Sequence, residues 1–419
     1  MIIPRFINGF KWPGTGKDKI ISSIAKRYRV PRGQVISLSF FLPVPLVPGT
    51  FLFLILLGIA ALAPGALSLA EEQDQASLDA IRRRQRAEWI GFYRQDSEKA
   101  ALPQTSISLE FYNQATEYFK SRDYGLAREV LKDALAQDAR NTLAYELLGD
   151  IEYIEGNLNQ ALVQYKQAFQ IQSRQNLKEK LKKVLADVQE TQNYLTDQDD
   201  LFIIKYPKTC ERKEIHKLKT VLRDQYKKLS REFGYYFKQP LVVAVYGPQQ
   251  FAKVTELPHW VSGTYDGNVR VPFCSSWIKE EDTRAATLHE MTHAFVTGIS
   301  QGQALAWIQE GLAVYEETGI KKRDGIVFRA AVKTGTLFPL DQLTNEKKIN
   351  FEKDPLLITL FYEQSYEFTA YLARRFGWVK IKELLVEFSR GKNADEAFQA
   401  VYSISPDGLE KAWKNTLTN

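Results

Sequence analysis

The chain has 419 residues, of which 44% are hydrophobic and 12% aromatic. This composition supplies enough apolar surface for folded cores and excludes a wholly disordered chain, and the length predicts two or three domains. The net charge of +6 is misleading, because residues 1–37 hold eight basic residues and one acid, which leaves −1 for the other 382 residues. A basic tail on a nearly neutral body is not typical of a nucleic-acid-binding surface, so we expect no nucleic-acid partner.

A long apolar segment follows the basic tail. No charge occurs between Gly33 and Ala70, and residues 51–70 begin with FLFLILLGIAALA. A helix of this length is just long enough to cross a hydrocarbon core of about 30 Å. We therefore predict a cytoplasmic tail at 1–37 and an anchor at 38–70 that contacts the lipid bilayer through 51–70. The chain would be a single-pass protein of the cell membrane, with its remaining domains outside the cytoplasm.

A cleaved signal peptide is the alternative. Ser68-Leu69-Ala70 has the small-x-small form of a cleavage site, in which case the mature protein would be secreted. The charged region before the apolar segment is far longer than that of an ordinary signal peptide and favours the anchor. A cytoplasmic protein is opposed by the charge-free segment itself. Outside the cytoplasm Cys210 and Cys274 can pair, although spacing alone does not show that they do.

Internal repetition follows a charged, Gln-rich stretch at 71–107, which we interpret as a stalk. Ala127 and Ala161 are 34 residues apart, and so are Ala134 and Ala168. Small residues at a period of 34 let pairs of helices approach closely, and residues 108–175 resemble two tetratricopeptide repeats. We expect residues 176–198 to form a capping helix and linker. A plain antiparallel helix pair is the structural alternative. The repeats would dock a substrate or a protein partner, with a purely structural spacer as the alternative role.

From residue 199 to the end, the sequence pattern predicts both helices and strands. Short strands are expected at 201–206 and 241–246, with a helix at 211–233 between them. The alternating segment GNVRVP at 267–272 ends in proline, which suits an edge strand. Helical patterns then continue to the C-terminus, so the last 220 or so residues form an α+β domain.

The chemistry is concentrated at His289-Glu290-Met291-Thr292-His293. On a helix, two histidines four residues apart share one face and can hold one metal ion, and Glu290 can accept a proton from a water at that ion. Imidazole nitrogens in such a set suit Zn²⁺, which makes bound water much more acidic. Asp282-Thr283 would begin the helix and Gly298 would end it. Two histidines on an ordinary helix are the alternative interpretation.

A catalytic zinc ion needs a third protein ligand, and Glu310 is the favoured residue. It lies in the helical segment WIQEGLAVYEE, which a turn near residues 298–302 would bring back beside the histidines, and Gly311 would allow close helix contact. Cys274, His216 and His259 are possible ligands, but no helical context ties them to the site. A solvated carboxylate is the alternative for Glu310.

His-Glu-x-x-His followed by Trp-Ile-Gln-Glu-Gly-Leu-Ala resembles the gluzincin zinc metallopeptidases, and most closely their peptidase MA-like branch. The resemblance covers most of 201–419 and implies a thermolysin-like core with one Zn²⁺ held by His289, His293 and Glu310, and with Glu290 as general base. The expected fold class is thus multidomain: all-α repeat helices, then an α+β gluzincin domain, with an N-terminal transmembrane or signal helix. Relatives carry an acid four residues after the third ligand, whereas this chain has Val314. The imidazoles must therefore be supported from elsewhere.

Two tyrosines and one strand complete the expected site. Tyr362 and Tyr366 lie four residues apart on one helix face and are candidates for stabilising the oxyanion, with ordinary aromatic packing as the alternative. Backbone groups of 267–270 would pair with an extended peptide or protein substrate. The sequence therefore favours a membrane-associated zinc peptidase. An inactive metallopeptidase fold that binds or assembles partners through its repeats stays open as the second class of function.

Overall fold

The computed structural model describes residues 105–255, 263–273, 279–345, 349 and 355–417. The described part is mostly helical and contains one five-stranded sheet. The expected tail, the apolar segment at 38–70 and almost all of the stalk lie outside the described residues. Among the helices that the structure describes, none is long and apolar enough to cross a bilayer.

Residues 106–191 form five helices, which we call the helical layer. They are α1 Ser106–Lys120, α2 Tyr124–Gln137, α3 Thr142–Ile154, α4 Leu158–Ile171 and α5 Gln175–Thr191. Helix α1 packs against α2 and α3 against α4, as the 34-residue offset predicts, and Ala127 and Ala161 are completely buried at these contacts. Gly149 of α3 lies directly against the ring of Tyr165 in α4, so a side chain at this position would collide with that ring. Small residues thus let the helices approach closely.

A mixed sheet and ten helices make up the rest of the described chain. The strands are β1 Tyr194–Gln198, β2 Phe202–Pro207, β3 Leu241–Tyr246, β4 Thr264–Tyr265 and β5 Val269–Pro272. The helices are α6 Arg212–Phe233, α7 Pro248–Thr255, α8 Glu280–Ser300, α9 Ala306–Glu317, α10 Ile326–Thr334, α11 Leu340–Thr344, α12 Pro355–Phe376, α13 Trp378–Ser389, α14 Ala394–Tyr402 and α15 Pro406–Leu417. The chain divides into two units, and Gly325–Leu337, which contains α10, is the described part of one of them. All other described elements belong to the second unit.

The sheet has the order β1-β2-β3-β5-β4. Strands β2, β3 and β5 run parallel, while β1 and β4 add antiparallel at the two ends. The strands expected at 201–206 and 241–246 and the helix expected at 211–233 are confirmed to within a residue or so.

Two expectations about the sheet are wrong. Residues 194–198, expected as a linker, form β1, which covers backbone groups of β2 that would otherwise form an open edge. The strand at 267–272 was expected at the edge, but β5 lies between β3 and β4. Strand β4 is only two residues long and leaves no alternating pattern in the sequence. Pro272 is tolerated because β4 pairs only with Val269 and Arg270, and the bond to β3 at this end of β5 comes from the N–H of Phe273.

The central strand β3 is buried on both faces of the sheet, since all six of its residues are buried. On one face, Phe202 of β2 packs edge-on against Tyr226 of α6. On the other, Tyr246 of β3 packs with Tyr194 and with Phe251 of α7. Helix α5 of the helical layer contacts α7 on this second face. The helical layer and the sheet therefore share a buried boundary.

Candidate metal centre and active site

Helix α8 carries both histidines and is buried along most of its length. It begins at Glu280 after the N-cap Lys279, so the expected start at Asp282-Thr283 is wrong. The acids of its first turn lie at the positive end of the helix dipole and favour the longer helix. Gly298 does not end the helix either. It is an interior position against which the ring of Tyr235 packs, where a Cβ atom would come within 2.8 Å of that ring.

A left-handed turn after α8 brings the chain back toward the histidines. Gln301 and Gly302 have φ values of 50° and 74°, which reverse the chain direction before α9 begins. Helices α8 and α9 then pack against each other. The expected return of the second helix is confirmed, and the turn at Gln301 and Gly302 lies within the expected range of 298–302.

His289, His293 and Glu310 are brought together by this packing. One ligand atom from each residue lies within 4.8 Å of the other two, and all three side chains are buried. The Oε2 atom of Glu310 is 3.5 Å from Nε2 of His289 and 3.6 Å from Nε2 of His293. Within the described residues, this set can hold a metal ion. His216 is not part of it and is exposed on α6; His259 and Cys274 lie outside the described residues.

The separations suit a tetrahedral metal site. Two ligands at about 2.0–2.1 Å from one ion, at a tetrahedral angle, lie about 3.4 Å apart. The observed separations between Glu310 and the two imidazoles are close to that value. Two neutral nitrogens and one carboxylate oxygen are also the donor set that zinc accepts in hydrolytic sites. The residues present therefore fit the ion that the sequence predicted.

The outer nitrogens of both histidines contact α9. Nδ1 of His289 is 3.0 Å from Oε2 of Glu317, and Nδ1 of His293 is 3.4 Å from Oε1 of Gln309. These contacts turn both Nε2 atoms toward Glu310. Glu317 supplies the support that Val314 cannot give. It lies seven residues, or two helical turns, after Glu310, and that spacing was the available signal.

Carboxylates set the charge of His289 in the metal-free protein. Burial by itself would lower its pKa, but the carboxylates of Glu310 and Glu317 outweigh burial and raise the pKa to about 9. Burial likewise opposes ionisation of Glu317, yet Arg323 and His289 lower its pKa to about 2. The two side chains therefore form an ion pair at neutral pH when no metal is bound.

Glu290 is buried against Gly263, the residue that immediately precedes β4. A Cβ atom on Gly263 would come within 2.8 Å of Cγ and 3.3 Å of Oε1 of Glu290, and within 3.3 Å of the carbonyl oxygen of Arg270. Only glycine leaves room for the Glu290 side chain at this point. No pattern in the sequence points to Gly263, because this close approach depends on the tertiary packing of β4 beside α8.

Gly311 also allows a close approach, although not toward α8. A Cβ atom there would collide with Oγ1 of Thr369 and come within 2.5 Å of the carbonyl oxygen of Ser365, both in α12. The expected close helix contact therefore exists, but its partner is α12. This contact fixes the helix that carries Glu310 and Glu317.

The two tyrosines of α12 lie in an apolar cluster. Tyr362 is buried with Val314 and Ile358, and the half-buried Tyr366 packs against the same group. Val314 lies between Glu310 and Glu317 along α9, so the cluster adjoins the helix that supplies the third candidate ligand. The packing gives both rings a structural role, and their part in the chemistry stays a prediction.

The fold and the site define a mostly helical protein with a small sheet and a buried His-His-Glu group that can bind a metal ion. Residues 222–419 match the model of the family described as Peptidase MA superfamily, which supports a peptidase of the gluzincin-like MA family for this part of the chain. The match contains all three candidate ligands and Glu290. A comparison with curated proteins found no significant match.

Proposed function

We propose that the protein is a zinc-dependent metallopeptidase that hydrolyses peptide bonds of protein substrates. The observation that carries the proposal is the convergence of His289, His293 and Glu310 from two helices, with Glu290 buried next to them. The family match over 222–419 supports the reaction class.

Each residue has a distinct task in this proposal. His289, His293 and Glu310 would hold one Zn²⁺ ion, which supplies Lewis acidity toward water and the scissile carbonyl group when bound. The carboxylate of Glu290 accepts a proton from the attacking water. It then returns that proton to the nitrogen of the departing amine, so the enzyme ends the cycle unchanged. Burial of Glu290 keeps bulk water from this proton.

Oxyanion stabilisation is proposed for the hydroxyl groups of α12. Tyr362 and Tyr366 lie on the helix face that packs against Val314, one turn from Glu310. A hydroxyl donor is the group type needed to stabilise the negative oxygen of the tetrahedral intermediate.

Strand β4 replaces 267–270 as the proposed docking strand for an extended substrate. Both sides of β5 are occupied, by β3 and by β4, whereas β4 is the last strand in the sheet order. A peptide that adds next to β4 would extend the sheet. Gly263, the residue before β4, touches Glu290, so such a peptide would pass close to the proposed base.

We further propose that the helical layer corresponds to two tetratricopeptide repeats with a capping helix, and that it can dock a protein partner. The 34-residue offset and the packing of α1 on α2 and α3 on α4 support this assignment. An extracytoplasmic, membrane-associated location rests on the apolar segment at 51–70. Cys210 is disulfide-bonded, and a disulfide bond suits an oxidising compartment.

The test uses the full-length protein in detergent. Zinc content is measured, then cleavage of an unfolded protein such as denatured casein, then loss of cleavage with a chelator and its return on adding Zn²⁺. One zinc ion per chain with chelator-sensitive cleavage would support the proposal. Bound zinc without turnover would refute it in favour of the second candidate, a binding or assembly protein on a metallopeptidase fold.

A further inference from the structure

Arg270 is a buried cation that the proposed reaction does not use. It lies on β5, and its side chain is 3% exposed. Its guanidinium group makes five hydrogen bonds, one for each of its N–H donors. Two of them form a bidentate pair with Asp187 of α5, each 2.7 Å long. The others go to Asp266 at 2.8 Å and to the hydroxyl groups of Tyr153 and Tyr246.

The partners of Arg270 come from both sides of the boundary between the sheet and the helical layer. Asp187 and Tyr153 belong to the helical layer, whereas Asp266 and Tyr246 belong to the sheet region. The Tyr153 hydroxyl also lies 2.9 Å from Oδ2 of Asp187. Arg270 and Asp187 are buried and Asp266 is largely buried, so each charge depends on its partner. Lys183 of α5 adds a second cation, 2.6 Å from Asp266, which balances the two acids.

A second contact, made by Arg122, joins the helical layer to the sheet region. Arg122, in the turn between α1 and α2, donates to the Tyr265 hydroxyl of β4 at 2.9 Å and lies over the ring of Phe237. Its φ angle is 57°, a left-handed value that a non-glycine residue adopts at a cost. Both strands of the β4–β5 hairpin are therefore held by the helical layer, β5 through Arg270 and β4 through Tyr265.

The backbone next to this hairpin lies against Glu290, the proposed general base. Gly263 precedes β4 and fits between the Glu290 side chain and the carbonyl oxygen of Arg270. A shift of β5 would therefore change the space around Glu290 as well as the outer edge of β4. The contacts run from Asp187 through Arg270 and Gly263 to Glu290.

We infer that Asp187 is a positioning residue for the active site, although it lies outside the residues that match the family. It fixes Arg270, which holds β4–β5 against Glu290, so the helical layer sets the geometry of the substrate-binding edge. The inference rests on the proposed peptidase function and adds a role for the helical layer that does not require partner docking.

Two matched pairs of variants in the full-length protein test it. Asp187→Asn removes the charge that pairs with Arg270, and Asp150→Asn is its control. Asp150 is also a buried acid of the helical layer, but it is bonded to Lys180 and Tyr165 and not to the hairpin. Tyr153→Phe and Tyr165→Phe form a milder pair. Each loses one buried hydroxyl. The Tyr153 hydroxyl contacts Arg270, Asp187 and Asp266, whereas the Tyr165 hydroxyl contacts Asp150.

Hydrogen–deuterium exchange of residues 263–273 is the first readout, because it does not depend on activity. We expect faster exchange there in Asp187→Asn than in Asp150→Asn, and a smaller difference of the same sign between the tyrosine variants. The second readout is cleavage of an unfolded protein. We expect kcat/KM to fall about 10- to 100-fold in Asp187→Asn, mainly through KM, with zinc content unchanged.

Equal protection of 263–273 in the members of both pairs would overturn the inference. If Asp187→Asn does not fold, as judged by cooperative thermal unfolding, the tyrosine pair decides. Absence of cleavage by the zinc-loaded wild-type protein would refute the proposed function, and the exchange comparison would still decide whether Asp187 positions the hairpin.

Discussion

Oε2 of Glu317 lies 3.0 Å from Nδ1 of His289, two helical turns beyond Glu310. The contact orients the imidazole so that its Nε2 atom points toward Glu310. It also places the supporting acid one turn later than the position that Val314 occupies. Helix α9 thus supplies the third candidate ligand and the support for the first one.

Replacing Glu317 with Gln should weaken metal binding without unfolding the protein. The amide keeps a hydrogen-bonding oxygen but loses the charge that makes His289 more basic, and such changes typically cost about 10- to 100-fold in affinity. Competition with a coloured zinc chelator measures this. Glu316→Gln is the neighbouring control, since that side chain contacts Lys228 instead. Equal zinc affinity in wild type and Glu317→Gln would contradict the supporting role.

Replacing Glu290 with Gln should abolish hydrolysis and leave the metal in place. The amide cannot accept the proton of the attacking water, whereas the three candidate ligands are untouched. Zinc content and cleavage of denatured casein are measured on the same sample. Residual cleavage at the wild-type rate would show that another group is the base.

The two tyrosines of α12 can be separated by removing one hydroxyl at a time. If one of these hydroxyl groups stabilises the oxyanion, changing that tyrosine to Phe should lower the kcat of the enzyme about 100-fold or more, with little change in KM. Tyr362→Phe and Tyr366→Phe are compared under saturating substrate. A wild-type kcat in both variants would leave them a packing role alone.

Gly311→Ala should destabilise the protein by about 1–3 kcal/mol, because the added methyl group meets α12 backbone that cannot move cheaply. Gly125→Ala is the control, since it is also a helical glycine but has its nearest neighbour 4.0 Å away. Alanine there should be neutral or slightly stabilising, because it favours the helix. Urea unfolding measures both. Equal midpoints for Gly311→Ala and wild type would contradict the close contact.

The metal-free protein should be most stable between about pH 4.5 and 6.5. The pKa of Glu317 is depressed to about 2 from 4.5, so its contribution is present above pH 4.5 and is lost as the pH falls toward 2. The pKa of His289 is raised to about 9 from 6.5, so its contribution is complete below pH 6.5 and is lost as the pH rises through 9. Each of these two contributions amounts to roughly 3–4 kcal/mol, since one pKa unit corresponds to about 1.4 kcal/mol.

Urea unfolding with chelator present, from pH 3 to pH 10, measures this profile. His289→Gln is the informative variant, because it should remove the loss of stability at alkaline pH and reduce the loss at acidic pH. If that variant loses as much stability at alkaline pH as the wild type does, other groups cause the pH dependence.

Local sequence determined the parts of the site that lie within one element. Two histidines at a spacing of four share one face of any helix, and Glu290 then has a fixed place beside them. The same reasoning found the helix of Glu310, and apolar runs found β2 and β3. These features depend on periodicity along the chain, which the sequence displays directly.

Only the tertiary structure decided which elements became neighbours. Arg270 belongs to a segment that was expected as an edge strand, yet the helical layer covers it and Asp187 of α5 neutralises it. Strand β4, which places β5 inside the sheet, is too short to leave a pattern. Glu317 contacts His289 because of the angle at which α9 returns to α8. A periodic pattern records which residues share a face, whereas the partner of that face is chosen by packing among segments far apart in the chain.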